Sequence, residues 1–292
     1  MSDIFEDIKY KSNEPLKNHT TMRVGGPAEY LFLPENADEI TRIIDYCKSA
    51  DKKYIIIGNG SNMVFSDEGF NGIVIKLFNN MNSIKSEGEM IIADAGSILS
   101  KLASYARDNS LTGMEFAAGI PGTLGGAVVM NAGAYGGEMK DIIEYVDVLL
   151  TDGSIKRFTN DEMKFGYRTS AVKNDMIVIS AGIRLKKGNK SDIEATMLEL
   201  KEKRTSKQPL EYPSSGSTFK RPEGHFAGKL IEDAGLKGYR VGGAMVSEKH
   251  AGFVINYDNA TAEDIVKLIE DVRNTVKEKF GVLLEPEVKI IR

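Results

Sequence analysis

The chain has 292 residues, enough for about two domains of ordinary size. Its 41% apolar, 27% charged and 8% aromatic content is that of a globular protein, which excludes a disordered or collagen-like chain. Lys plus Arg number 38 against 42 Asp plus Glu, a net charge of -4, so no overall basic field is available to hold nucleic acid. Cys47 alone can form neither an internal disulfide nor a cysteine-rich centre. His19, His225 and His250 lie far apart with no HExxH pattern, so no metal site is expected. The N-terminal stretch is acidic, and no run approaches the ~18 apolar residues of a membrane span. A cytoplasmic protein is expected, without membrane contact or an evident obligate protein partner. Glycine is the one departure: 29 in 292 positions is about 10%, against roughly 7% in ordinary proteins.

In chain order, residues 34–50 predict a helix, with Asn36 as cap and Ile40, Ile43, Ile44 and Cys47 on one face. Short apolar runs at 53–58, 72–78 and 90–96, each bounded by glycine or turn residues, predict strands. A second helix fits 97–109, with Ile98, Leu99, Leu102, Tyr105 and Ala106 as its stripe. Periodicity then gives way to glycine. Thr151-Asp152-Gly153 lies between two strand-like runs and signals a hairpin, because glycine accepts the positive φ of a tight turn. A strand around 176–185 and a polar helix over 191–203, with Ile193, Met197 and Leu200 on one side, lead into the basic segment 201–209, and the composition shift places a domain boundary at 200–213. Beyond it come a helix at 225–234, strands near 241–246 and 252–257, and a long helix from Thr261. Thr261 and Asp264 give that helix a capping-box pattern, and a last strand covers 282–292. The whole reads as α+β.

Two glycine segments carry the chemistry. Gly58, Asn59, Gly60, Ser61 and Asn62 follow a strand, where backbone N–H groups can turn outward to cradle an anion. The segment is neither GxGxxG nor GxxxxGK[ST], so a plain tight turn is the alternative. Residues 117–137 are long, uncharged and glycine-rich, a composition that permits close approach of a ligand to backbone and packs poorly alone.

GNGSN (58–62), GIPGTLGGAVVMNAGAYGG (119–137), GYRTS (166–170), SGSTFK (215–220) and LEPEVKII (284–291), with HTTMRVGG (19–26) before them, occur in the order found in one family. The chain resembles the UDP-N-acetylenolpyruvoylglucosamine reductases over residues 18–291. The resemblance implies an α+β FAD-binding fold of the vanillyl-alcohol-oxidase/PCMH-like type. Its two subdomains would cover 1–75 and 76–200, followed by a C-terminal α+β substrate-binding domain over 201–292. It also implies non-covalent FAD, NADPH as hydride donor, and reduction of UDP-N-acetylglucosamine enolpyruvate to UDP-N-acetylmuramate for peptidoglycan. To FAD it assigns Gly58, Asn59, Gly60, Ser61, Asn62, Gly119, Ile120, Pro121, Gly122, Thr123, Gly126, Asn131, Gly133 and Ala134. None of these is a histidine or cysteine to which a flavin could be attached.

Hydride delivered to the vinyl carbon drives negative charge toward the carboxylate end, which must be stabilised before the neighbouring carbon is protonated. The resemblance gives the cation as Arg168, the proton donor as Ser217 and the assisting carboxylate as Glu287. A forked guanidinium suits an enediolate, and a hydroxyl is a donor at neutral pH. Read alone, each has a plainer alternative: a surface arginine, a turn hydroxyl, a solvated acid. In a strand Glu285 and Glu287 share a face, so spacing cannot choose between them. Arg204 and Lys207 match residues that hold the substrate's anionic groups, and Tyr167 is a candidate substrate contact. His250 and Arg221 stand where one branch carries glutamine and asparagine, and the short C-terminal region fits the compact branch. The rival readings are another FAD oxidoreductase of a hydroxy acid or sugar on the same scaffold, and a non-catalytic nucleotide-binding module.

Overall fold

The computed structural model describes residue 5, residues 7–173 and residues 175–292. Among the described residues there are six α-helices, and α1, α2 and α6 form where apolar periodicity meets a start or stop signal. In α1 (Ala37–Ser49) the Asn36 side chain accepts the Glu39 N–H at 2.9 Å, Asp38 and Glu39 occupy the first turn, and Ile40, Ile43, Ile44 and Cys47 are buried. In α2 (Leu99–Asp108) the buried face is Leu99, Leu102, Ala103 and Ala106; Tyr105 is only half-buried. The short α3 (Leu124–Val129) lies inside the glycine segment that the sequence left without regular structure. α4 (Lys190–Lys207) is longer than expected and buries only Ile193 fully, with Met197 and Leu200 half-buried. α5 covers Ala227–Asp233. In α6 (Ala262–Phe280) the expected capping box is present, and Gly281 at φ +71° stops the helix in the left-handed conformation that glycine takes without a Cβ clash.

The chain divides into two compact units. The first comprises Met1–Lys11, Leu31–Asn59 and Ile73–Arg204; the second comprises Ser12–Tyr30, Gly60–Gly72 and Thr205–Arg292. The division falls within α4.

The first unit is built on an antiparallel five-stranded sheet in the order Ile155–Thr159, Ile143–Leu149, Ile177–Arg184, Met90–Asp94, Ile84–Glu87. Its first two strands are the expected hairpin, with Gly153 at φ +82°. Tyr54–Ile57 pairs in parallel with residues 73–76. α3 sits tight on this sheet: Gly125 N–H donates to the Ala95 carbonyl at 2.8 Å, and a Cβ at 125 would stand 2.9 Å from the Ala95 Cβ. Glycine in this helix therefore trades helix propensity for close packing.

The second unit holds a three-stranded antiparallel sheet, Arg240–Val241, Ala244–Val246 and Val254–Asn256. Its core joins Ile265, Leu268, Ile269, Val272 and Val276 of α6 to Leu230 and Ile231 of α5, and to Met22, Val24 and Val64. Burial of each such side chain contributes about 1.5–3 kcal/mol before entropy is counted. The expected terminal strand is confined to Lys289–Ile291, which pairs in parallel with Met63–Phe65. No described helix is long and apolar enough to cross a membrane. Among the described residues no group of three His, Cys, Asp or Glu could hold a metal.

Candidate active site

In the first unit Gly58 and Asn59, the start of one glycine segment, meet the other segment. The Asn59 side-chain amide donates to the Pro121 carbonyl at 2.8 Å. A Cβ on Gly58 would lie 2.2 Å from the Thr123 hydroxyl oxygen, so position 58 has room only for glycine. Among the described residues no protein acceptor takes the backbone N–H of Asn59, Gly60 or Ser61. Such groups are normally bonded, and a run of them in a loop is an anion-binding arrangement. Gly126 is exposed on α3, and the nearest atom to a Cβ there would be 3.7 Å away. Ile120 and Gly122 are half-buried, and the Gly122 carbonyl accepts the Leu99 N–H at the start of α2. Gly58→Ala is expected to purify with little bound flavin, read as the ratio of visible to ultraviolet absorbance. A full complement of FAD in that variant would mean that the 58–62 loop does not hold the cofactor.

Arg204, near the end of α4, lies along Gly119: a Cβ at 119 would stand 2.9 Å from its Cδ and 3.2 Å from Nη1. Burial pushes its pKa down, and Tyr135 is the one group that opposes the shift. Among the described residues no hydrogen bond or ion pair ties its guanidinium to another group. A half-buried cation without a counter-ion carries a desolvation cost that an anionic ligand would offset.

Arg168 occupies the corner of a tight turn closed by Gly166 N–H to the Thr169 carbonyl at 3.0 Å and Thr169 N–H to the Gly166 carbonyl at 3.3 Å. Its φ is +56°, a conformation that costs a non-glycine residue about 1 kcal/mol and persists only when its surroundings hold it. Its Nη2 donates to the Gly133 carbonyl at 3.2 Å, and its guanidinium carbon lies 5.3 Å from the exposed Tyr167 ring. The Ser170 hydroxyl donates to the Val129 carbonyl at 2.9 Å. Gly133 and Ala134 pair with Glu138 and Gly137 in a two-stranded ribbon.

Asn131 is fully buried. Its amide donates to the Gly166 carbonyl and to Glu138 Oε2, both at 2.9 Å, and its oxygen accepts the Lys140 N–H at 2.9 Å. Lys140, 2.9 Å from Glu138 Oε2, and the Asn131 amide hold the Glu138 carboxyl below its usual range despite partial burial. Sequence reading gave no role to Glu138.

In the second unit the SGSTFK and LEPEVK segments run antiparallel. Phe219 bridges Pro286, Glu287 N–H donates to the Thr218 carbonyl at 2.8 Å, and Lys220 N–H donates to the Glu285 carbonyl at 2.9 Å. Thr218 is buried and locked further: its N–H donates to the Gly252 carbonyl, and its hydroxyl oxygen accepts the Val254 N–H, both at 2.9 Å. Ser217 is exposed beside this fixed residue, after Gly216 at φ +75°. The two acids differ in setting. Glu285 is exposed and paired with Lys220 at 2.5 Å, whereas Glu287 is half-buried and its carbonyl accepts the Asn62 amide at 3.2 Å.

His250 is half-buried, and its Nδ1 accepts the Gly252 N–H at 3.1 Å, which leaves the neutral ring's proton on Nε2. Burial lowers its pKa below the ordinary 6.5. Arg221 stacks over the exposed Phe226 ring at 4.6 Å, and Lys207 is exposed at the end of α4. The side-chain oxygen of Gln208 is buried with no hydrogen-bond partner, the one such atom among the described residues. No sequence pattern marks it.

A family model described as FAD binding domain matches residues 28–159, and one described as UDP-N-acetylenolpyruvoylglucosamine reductase, C-terminal domain, matches residues 208–291. The UDP-N-acetylenolpyruvoylglucosamine reductase of Caldanaerobacter subterraneus subsp. tengcongensis is 52% identical over 292 residues, spanning 100% of this chain and 96% of that protein. The chain belongs to the UDP-N-acetylenolpyruvoylglucosamine reductase family. The reductase of Lachnoclostridium phytofermentans is 51% identical over 296 residues, with 100% and 96% covered. The crystal structure of the Thermus caldophilus reductase superposes with a TM-score of 0.84 at 36% identity, over 98% of this chain and 99% of that one. Membership of this reductase family brings the α+β fold with its FAD-binding domain.

The residues present fit FAD. Its pyrophosphate needs N–H donors, glycine backbone that can be approached closely, and a cation. Within the first unit the Asn59 N–H and the open face of Gly126 supply the first two, and the guanidinium on Gly119 is a cation that a pyrophosphate of either FAD or the nucleotide sugar could use.

Proposed function

We propose that the protein reduces UDP-N-acetylglucosamine enolpyruvate to UDP-N-acetylmuramate in peptidoglycan precursor synthesis, with FAD as cofactor, NADPH as hydride donor and the cytoplasm as its compartment. When bound, FAD would supply the hydride chemistry between NADPH and the vinyl carbon of the enolpyruvyl ether. Arg168 meets the charge that develops at the substrate carboxylate, because a guanidinium offers forked cationic donors to two oxygens at once. Glu287 works with Arg168 on the enol, and the Ser217 hydroxyl gives its proton to the carbon next to the carboxylate. Arg204 and Lys207 hold anionic groups of the nucleotide sugar, with Tyr167, Arg221 and His250 as further contacts.

The locked Thr218 carries this reading. A proton donor needs an exposed hydroxyl on backbone that does not move, and Ser217 has a neighbour fixed through its N–H, its carbonyl and its side chain, the carbonyl being bonded to Glu287 itself. The test is visible absorbance under anaerobic conditions. NADPH is expected to bleach the flavin band, and UDP-N-acetylglucosamine enolpyruvate to restore it. Restoration by oxygen alone would assign a different substrate, and a colourless protein that FAD cannot reconstitute would overturn the flavoenzyme reading.

A further inference from the structure

We infer that Asn131 is a positioning residue for Arg168, fastening the 166–169 turn to the glycine segment in place of touching the flavin. The inference rests on the role proposed above for Arg168. Asn131 is wholly buried and both of its amide hydrogens are used, one on Glu138 and one on the Gly166 carbonyl.

The orientation of the amide is unambiguous. The ionised Glu138 carboxylate only accepts hydrogen bonds, and the Lys140 N–H only donates, so NH2 must face the former and the oxygen the latter. The amide group that faces Gly166 is therefore fixed as a donor. Its target is the carbonyl that also closes the turn carrying Arg168, three residues before Thr169 completes it. Ser170 adds a second pin through Val129, and Arg168 itself a third through Gly133. All three anchors, on Asn131, Val129 and Gly133, fall within five residues of one segment. A side chain at a left-handed corner thus takes its position from the glycine segment, and Asn131 is the buried member of that attachment.

Asparagine is specific here. Asn131→Asp keeps the shape, removes the donor to Gly166 and sets a second carboxylate against Glu138, while Asn131→Ala removes all three side-chain bonds. In both variants FAD affinity, measured by fluorescence titration of the apoprotein, and flavin reduction by NADPH are expected to stay within about threefold of the parent. Reoxidation by UDP-N-acetylglucosamine enolpyruvate is expected to slow by about 10- to 100-fold, the scale of a misplaced catalytic group. In an Arg168→Lys background, Asn131→Ala is expected to add little, because both substitutions act on one interaction.

Weakened FAD binding, or equal loss in both half-reactions, would overturn the inference in favour of a cofactor contact or a general structural role. Multiplicative effects in the double variant would also overturn it. If Arg168→Lys alone leaves reoxidation normal, the fault lies in the role given to Arg168; if Arg168→Lys is slow and Asn131→Asp is normal, only the positioning inference falls. Should the Asn131 variants fail to fold, Ser170→Ala removes a neighbouring pin and must slow reoxidation while sparing flavin reduction.

Discussion

Ser217→Ala is expected to leave FAD content and flavin reduction by NADPH unchanged and to slow reoxidation by the enolpyruvyl substrate by about 10²–10⁴-fold, the range for loss of a positioned general acid. The asymmetry follows from the chemistry. Hydride transfer from NADPH to flavin needs no proton from this hydroxyl, whereas the substrate half-reaction ends with protonation of carbon. The fold allows the experiment to be clean, because Ser217 is exposed and the bonds that hold its segment belong to Thr218. Single-turnover absorbance traces measure the two halves separately. Equal slowing of both would remove Ser217 from the proton-donor role. Solvent deuterium should slow the parent's second half-reaction more than its first.

Arg204→Leu is expected to move stability and binding in opposite directions. The parent carries a half-buried guanidinium against Gly119, its pKa lowered by burial and without a counter-ion among the described residues. Replacing such a charge by an apolar side chain of similar bulk is neutral or stabilising by roughly 1–4 kcal/mol. Each kcal/mol raises the melting temperature by about 2–4 °C in a protein of 150–250 residues, so the ligand-free variant should melt a few degrees higher. Affinity for the anion should fall by about 10- to 100-fold, the equivalent of one lost charge-assisted hydrogen bond. Measuring both FAD affinity and the KM for the nucleotide sugar identifies which phosphate the arginine serves. A variant that melts lower and binds both ligands normally would make Arg204 a packing residue.

The helices were legible where local signals agree. Asn36 before the Ile40, Ile43, Ile44, Cys47 stripe, and Thr261 with Asp264, led to α1 and α6 with their caps in place. α3 was hidden because its Gly125 and Gly126 argue against a helix, and the close approach to Ala95 explains glycine at 125 alone. The terminal strand shrank to Lys289–Ile291 because its pairing with Met63–Phe65 depends on a distant partner. Likewise, no local pattern joins Ser12–Tyr30 and Gly60–Gly72 to the C-terminal unit.

Within the site, motif resemblance named Arg168, Ser217 and Glu287. Spacing alone could not distinguish Glu285, which pairs with Lys220 at the surface, from the half-buried Glu287, since both acids fall on one face of a strand. The supporting groups, Glu138, Thr218 and Gln208, escaped notice because their importance lies in partners rather than in residue type.

The parallel pairing of Met63–Phe65 with Lys289–Ile291 also orders events in time. Asn62 spans 225 positions to reach the Glu287 carbonyl, and its own carbonyl accepts the Lys289 N–H at 3.0 Å. Closing so long a span costs little at equilibrium, about 0.6 kcal/mol for each doubling of length, yet contacts this remote form slowly. The 58–62 loop is therefore synthesised early and tethered late. Refolding from denaturant should recover helical circular dichroism before flavin fluorescence is quenched, making cofactor capture a report of completed folding.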